Sequence, residues 1–141
     1  MNTDVVTETF EASQAAVSAR IDEILDACRL KNFDRLAAYH LDGPKFTKFD
    51  DLEPLDRQDA ATAMRAEVAV FSAIEDLDAN IENLKIDVFG SVAIATGIFR
   101  GTFRSGGEPG SFSTRRTLVF VDSGGDWLIA HEHHSPLATS S

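Results

Sequence analysis

Three histidines and a glutamate occupy four consecutive positions, His131, Glu132, His133 and His134, inside the run Asp126–Pro136. Imidazole is the side chain that titrates nearest neutral pH and the commonest protein ligand for transition metals. On a strand, residues two apart share a face, so His131 and His133 point one way and Glu132 and His134 the other. His-x-His on one face is a spacing that zinc and iron centres use. A metal would need a third ligand, and the candidate His40 is remote in sequence, so no metal and no cofactor are expected. Glu132 with His134 has the residue types of an acid–base pair, and Arg116 can hold an oxyanion. Tyr39 adds a hydroxyl. No Ser–His–Asp order and no Gly-rich phosphate loop is present.

These residues must be placed by helices first and strands afterwards. Val17, Ile21, Ile24, Leu25 and Cys28 recur at helical spacing with charges between them. Lys31–Asn32 interrupts that run, and Asn32 can cap a short second helix reaching Tyr39. A third helix is predicted from about Asp56 to Ile74, with Ala60, Met64, Val68 and Phe71 on one face. The alternating Lys45–Phe49 segment reads as a short edge strand. From Ile81 the period becomes two, giving strands at 81–89, 91–104, 111–122 and 126–135. The turns between them permit only antiparallel neighbours, hence a meander. The predicted fold class is α+β, one domain over 1–141, with helices packed on one side of a curved sheet and loose ends at about 1–5 and 137–141.

Pairing Asp122 with Asp126 across the last turn sets Arg116 opposite Glu132, Thr114 opposite His134, Leu118 opposite Ala130 and Phe120 opposite Leu128, all on one face. The other face then carries Val119 and Val121 with Ile129 and Trp127. Both faces are apolar near the turn, and no helix is left for the second. A homodimer through Val119, Val121, Trp127 and Ile129 is the expected way to cover it.

Composition narrows the partners. Residues 1–82 hold 18 acidic and 8 basic side chains, and residues 83–141 hold five of each, which accounts for the net charge of −10. An acidic surface repels phosphate backbones and anionic lipids, so neither nucleic acid nor membrane is an expected partner. No stretch approaches the roughly 18 apolar residues of a membrane span. A single cysteine, Cys28, excludes an internal disulfide and fits a cytoplasmic setting.

Helices followed by a bent antiparallel sheet that ends in Trp127-x-Ile129-x-His131-x-His133-x-Ser135 resembles the nuclear transport factor 2-like superfamily, and the SnoaL-like group within it. The preceding Arg115–Phe120 (RRTLVF) and the segment Phe33–Asp51 also match that group. The resemblance implies a cone, also described as a cystatin-like roll, in which the helices close the concave side of the sheet over a pocket. Its members include ketosteroid isomerases, dehydratases, epoxide hydrolases, polyketide cyclases and the association domain of calcium/calmodulin-dependent kinase. The isomerases' oxyanion-binding acid falls at Arg116 and a pocket aromatic at His134, so this chain departs from them at both positions. Their general base falls near Asp50. The kinase association domain has arginines at positions resembling Arg116 and His134, closer to the Arg/His pair here.

The expected site is a partly apolar pocket with an Arg116/Glu132/His134 cluster, walled by Leu118, Phe120, Met64 and Phe71, with Tyr39 and Phe46 at the rim and Arg100 nearby. Such a positive concavity suits a small carboxylate or enolisable ligand. Acid–base catalysis of isomerase, dehydratase or cyclase type by His134, Glu132, Arg116, Asp50 and Tyr39 is one reading. A non-catalytic dimeric association module is the alternative, and a His-x-His metal enzyme comes third.

Overall fold

The computed structural model describes residues 4–137. In chain order the elements are α1 (Glu11–Leu30), α2 (Phe33–Ala38), β1 (Thr47–Phe49), α3 (Ala60–Ser72), β2 (Glu75–Phe89), β3 (Val92–Ser105), β4 (Glu108–Ser123) and β5 (Asp126–Pro136). The strands form one sheet in the order β1-β5-β4-β3-β2, antiparallel except for the parallel β1–β5 pair. This is the α+β arrangement of helices followed by a curved, open sheet. The expectation of loose ends falls mostly outside the described residues.

The helical stripe of α1 buries Val17, Ile21, Ala27 and Cys28. The helix stops where Lys31 turns left-handed at φ 54, with the Lys31 N–H donating to Cys28 O and the Asn32 N–H to Ala27 O, satisfying its last carbonyls. Asn32 Oδ1 then accepts from Arg35 N at 3.2 Å and starts α2. The third helix begins later than the predicted Asp56. Gln58 exchanges both backbone hydrogen bonds with Lys48, which keeps the chain extended until the Asp59 side chain caps Thr62 N at 2.8 Å.

The meander is present, but β2 starts at Glu75, six residues before the predicted Ile81, and β4 already at Glu108. The charged stretch Glu75–Asn80 hides an edge strand whose outward groups face solvent. The turns at Gly106–Gly107 and Gly124–Gly125 take two consecutive positive φ angles, the geometry of tight hairpins that glycine adopts without strain.

The register of β4 against β5 differs from the predicted one. Ser123 pairs with Asp126, Asp122 with Trp127 and Phe120 with Ile129; after a bulge, Val119 pairs with His131, Leu118 with Glu132 and Arg116 with His134. Ala130 is the extra residue of that bulge. An inserted residue reverses the alternation, so β5 turns Trp127 and Ile129 inward before Ala130 and Glu132 and His134 inward after it. Trp127 and Ile129 are therefore core residues, packed with Phe120, Leu118, Ala95, Val17 and Ile21, and do not belong to the outer face assigned to them from the simple alternation. Val119 and Val121 remain outside and half-buried, beside Leu128 and Ile94.

The bulge makes a measurable difference. Ile129→Ala is expected to cost about 2–5 kcal/mol in urea unfolding, as for a buried isoleucine, and Leu128→Ala clearly less. A cost below about 1 kcal/mol for Ile129→Ala would restore the register that pairs Asp122 with Asp126.

Candidate functional site

The inward-facing charged groups gather around Lys48, which is only 1% exposed. Lys48 is the central residue of β1, and its register opposite Glu132 on β5 points both inward. Its ammonium lies 3.1 Å from Glu67 Oε1 on α3, 3.5 Å from Asp50 Oδ2 just beyond β1, and 3.6 Å from Glu132 Oε2. Glu132 also bonds two imidazoles: Oε1 meets His40 Nε2 at 2.8 Å and Oε2 meets His134 Nε2 at 3.0 Å. The other ring nitrogen of His40 bonds Leu36 O at 2.8 Å, and that of His134 faces Asp50 Oδ1 at 3.5 Å.

Proximity sets the protonation states. Burial opposes charge on Glu132, but Lys48, His134 and His40 hold its carboxyl well below the usual range. Burial likewise opposes the imidazolium of His40, and its bond to Glu132 outweighs that, pushing His40 up to about 9. Lys48 is raised above its ordinary value, because Glu132, Glu67 and Asp50 overcome its burial. Asp50 is depressed against its own burial by His134, Asp51 and Lys48, whereas burial and the neighbouring Asp50 raise Asp51. Burial pushes the Cys28 thiol up to about 12, which makes it a packing residue rather than a nucleophile.

Arg116 stands apart from this cluster. Its Nε donates to Thr114 Oγ1 at 3.1 Å and its guanidinium lies 4.0 Å above the Phe99 ring. Among the described residues no carboxylate comes within ion-pair distance, so the expected Arg116–Glu132 pair is absent. The register explains it: Arg116 sits beside His134, and Glu132 is opposite Leu118. Burial lowers the Arg116 pKa, yet a guanidinium starts high enough to keep its charge. Its β3 partner is Gly97, which makes room for Ile81 on β2: a Cβ there would approach Ile81 Cγ2 to 2.5 Å.

A cavity of about 260 Å³ opens over this wall. Arg116, His134, Asp50, Asp51, Lys48 and Glu67 face it on one side, and Phe71, Phe99, Phe103, Phe112, Ile74 and Val70 form the apolar side. The expected residues divide accordingly. Arg116, His134, Asp50 and Phe71 line the cavity. Glu132 and Leu118 line a smaller chamber of about 40 Å³ behind Arg116. Phe120 is wholly buried in the core, and Phe46 packs there too. Met64 lies against the Leu36/Tyr39 cluster. Tyr39 is held between Arg20 and Arg35, its hydroxyl accepting from Arg35 Nε at 2.6 Å, away from the cavity. Arg100 points outward, paired with Glu82 at 2.8 Å. Lys48, Glu67 and Asp51 also line the cavity, beyond the residues expected there. The alternation of Lys45–Phe49 was the available signal for Lys48, since Phe46 and Lys48 must share a face.

His131 and His133 lie on the outer face with Phe49 against both rings, and His131 Nδ1 bonds Thr47 Oγ1 at 2.8 Å. His40 is on the opposite face. Two other groups have metal-ligand residue types, His40/Glu67/Glu132 and Asp50/Asp51/His134. The Lys48 ammonium already contacts Glu67 and Glu132 in the first group and Asp50 in the second, so a divalent ion at either would sit beside a fixed positive charge.

The raised His40 pKa has a pH consequence. Going from about 6.5 in the unfolded chain to about 9, it contributes stability on the order of 3 kcal/mol. That contribution is fully present below pH 6.5 and disappears as pH rises through 9. His40→Gln keeps a donor for Glu132 but cannot titrate, so its stability is expected to change less between pH 6.5 and 9.5 than that of the unaltered chain. Identical pH profiles would show that His40 is not charged in the fold.

A family model for the SnoaL-like domain matches residues 17–139. No curated protein matches the chain significantly. Among solved structures, a Streptomyces avermitilis protein put forward as a dehydratase of the nuclear transport factor 2-like family superposes with a TM-score of 0.81 at 15% identity, covering 92% of this chain and 99% of that one. A nuclear transport factor 2-like superfamily protein from Salmonella enterica serovar Typhimurium gives 0.80 at 14% identity, covering 93% and 95%. The association domain of calcium/calmodulin-dependent protein kinase II from C. elegans gives 0.71 at 17%, covering 89% and 96%. No helix of the described residues is long and apolar enough to cross a membrane. With the SnoaL-like family model spanning residues 17–139, most of the chain, the protein belongs to the SnoaL-like domain family.

Proposed function

We propose that the cavity is a binding site for a small organic anion, a carboxylate or an enolisable compound, anchored by Arg116. The observation that carries this reading is the guanidinium itself. It faces the cavity, stacked on Phe99, with one hydrogen bond to Thr114 and no carboxylate partner among the described residues. A buried guanidinium with no carboxylate within ion-pair distance is costly unless something pairs with it, and a bidentate carboxylate fits a guanidinium fork. The phenyl-rich wall supplies contact area for the rest of the ligand.

Acid–base chemistry without a cofactor fits the same wall. Arg116 would stabilise an oxyanion, and Asp50, Asp51 and His134 would move protons. Within the adjacent carboxyl pair, Asp50 is held depressed and Asp51 raised, so Asp51 is the stronger base of the two. Glu132 serves as a positioning residue behind His134 rather than as the proton-transfer group. Ligand-observed NMR with phenylacetate against the unaltered chain and Arg116→Ala tests the anchor. Binding is expected only with Arg116 present; equal signals from both proteins would overturn it.

A second feature favours an association role for the same domain. On the outer sheet face Val92, Ile94, Ile98, Val119, Val121 and Leu128 are half-buried, and no helix of the described residues packs over them. A second copy of the chain covers such a face by an isologous contact. Light scattering at micromolar concentration is expected to give about twice the chain mass of 15.3 kDa, and Val119→Lys to disrupt that assembly. A stable monomer of the unaltered chain would remove this reading.

A further inference from the structure

One carboxylate oxygen beside the cavity is unaccounted for. Glu67 Oε1 accepts from the Lys48 ammonium at 3.1 Å, but Glu67 Oε2 is buried and meets no hydrogen-bond donor among the described residues. A buried charged acceptor without a donor is costly, and such groups are usually satisfied by an ordered water or a ligand. Glu67 lines both the main cavity and the chamber behind it, and so does Arg116. The two chambers therefore share Arg116 and Glu67 at their junction; Oε2 itself is covered, so a small turn of the Glu67 side chain is needed to present it to a ligand.

We infer that Glu67 is a specificity-determining residue of this pocket, which selects organic anions that also carry a neutral hydrogen-bond donor, an O–H or N–H. The inference rests on the proposed anion site: the anionic end meets Arg116 and the donor meets Glu67 Oε2. Lys48 argues for a neutral donor, because its ammonium already holds the other oxygen and repels a second cation. The apolar remainder of the ligand lies along Phe71 and Phe99, which also border both chambers.

The test compares phenylacetate with its 2-, 3- and 4-hydroxy and 2-, 3- and 4-amino derivatives, with affinities measured by ligand-observed NMR. In the unaltered chain at least one substituted isomer is expected to bind about tenfold more tightly than phenylacetate, the gain of one hydrogen bond to a charged acceptor. Glu67→Gln is expected to abolish that advantage, each derivative being compared with phenylacetate in the same variant. In this variant the amide oxygen serves Lys48 and an NH2 group faces the ligand's donor. Glu67→Met, with no acceptor at all, is expected to behave likewise; because it leaves the Lys48 ammonium without any oxygen from α3, the Gln variant decides if Met fails to fold. If no isomer exceeds phenylacetate, or if the advantage persists in Glu67→Gln, the selection by Glu67 is wrong while the anion site stands, provided that phenylacetate binding still requires Arg116. If phenylacetate and all six derivatives fail to bind, both are wrong. An advantage limited to the hydroxy isomers, or to the amino isomers, identifies which donor the site accepts.

Discussion

A buried lysine ammonium among three carboxylates is the contact on which the rest of the pocket wall depends. Lys48 joins β1 to α3 through Glu67, to the loop after β1 through Asp50, and to β5 through Glu132. Each of these charges would be costly to bury alone, and each is held because the others are present. The same cluster fixes two imidazoles, since Glu132 bonds His40 and His134 with its two oxygens. The short strand β1, three residues long, is thereby fastened to the sheet by charge as well as by backbone pairing. Glu132 looks catalytic in the sequence, but in the fold both of its oxygens are taken up by the two imidazoles.

The Ala130 bulge is the second constraint. An unbroken β5 would place either Trp127 and Ile129 or Glu132 and His134 inside, never both pairs. The extra residue puts the apolar pair into the core and the polar pair onto the pocket wall. It also leaves His131 and His133 on the outer face with Phe49 and Thr47, on the other side of the sheet from Lys48 and the cavity.

Much of this architecture was legible in the residues. The stripe Val17–Ile21–Cys28, the Asn32 cap and the change to a period of two past Ile81 specify helices followed by a meander. That β4 and β5 are antiparallel neighbours was legible, but their register was not: Asp126 pairs with Ser123 instead of Asp122, one residue off at the turn, and the Ala130 bulge adds a second shift that an ordinary alanine does not announce. The site was half legible. Arg116 and His134 face the cavity together, but Lys48, Glu67 and Asp51 could not be found by strand alternation in the last two strands. Glu67 comes from a helix, and the others sit on and just after β1, which reaches β5 by a parallel pairing that no short turn announces. Tyr39 and Arg100 were misplaced for a simpler reason. Each has nearby partners, Arg20 and Arg35 in one case and Glu82 in the other, and these hold it away from the cavity.

A fold of this family does not fix one chemistry; the disposition of charge on the wall does. A double-mutant cycle between Lys48 and Glu132 tests that disposition most directly, with Lys48→Met, Glu132→Gln and the double variant unfolded in urea at neutral pH. Each single change removes one charge from the buried cluster and leaves the balance of the others broken, and is expected to cost about 3 kcal/mol or more. The double variant should cost less than the two combined, by on the order of 2 kcal/mol. Costs that add to within about 0.5 kcal/mol would mean that the two charges do not sense each other, and Lys48 would lose its place as the organising contact of the site.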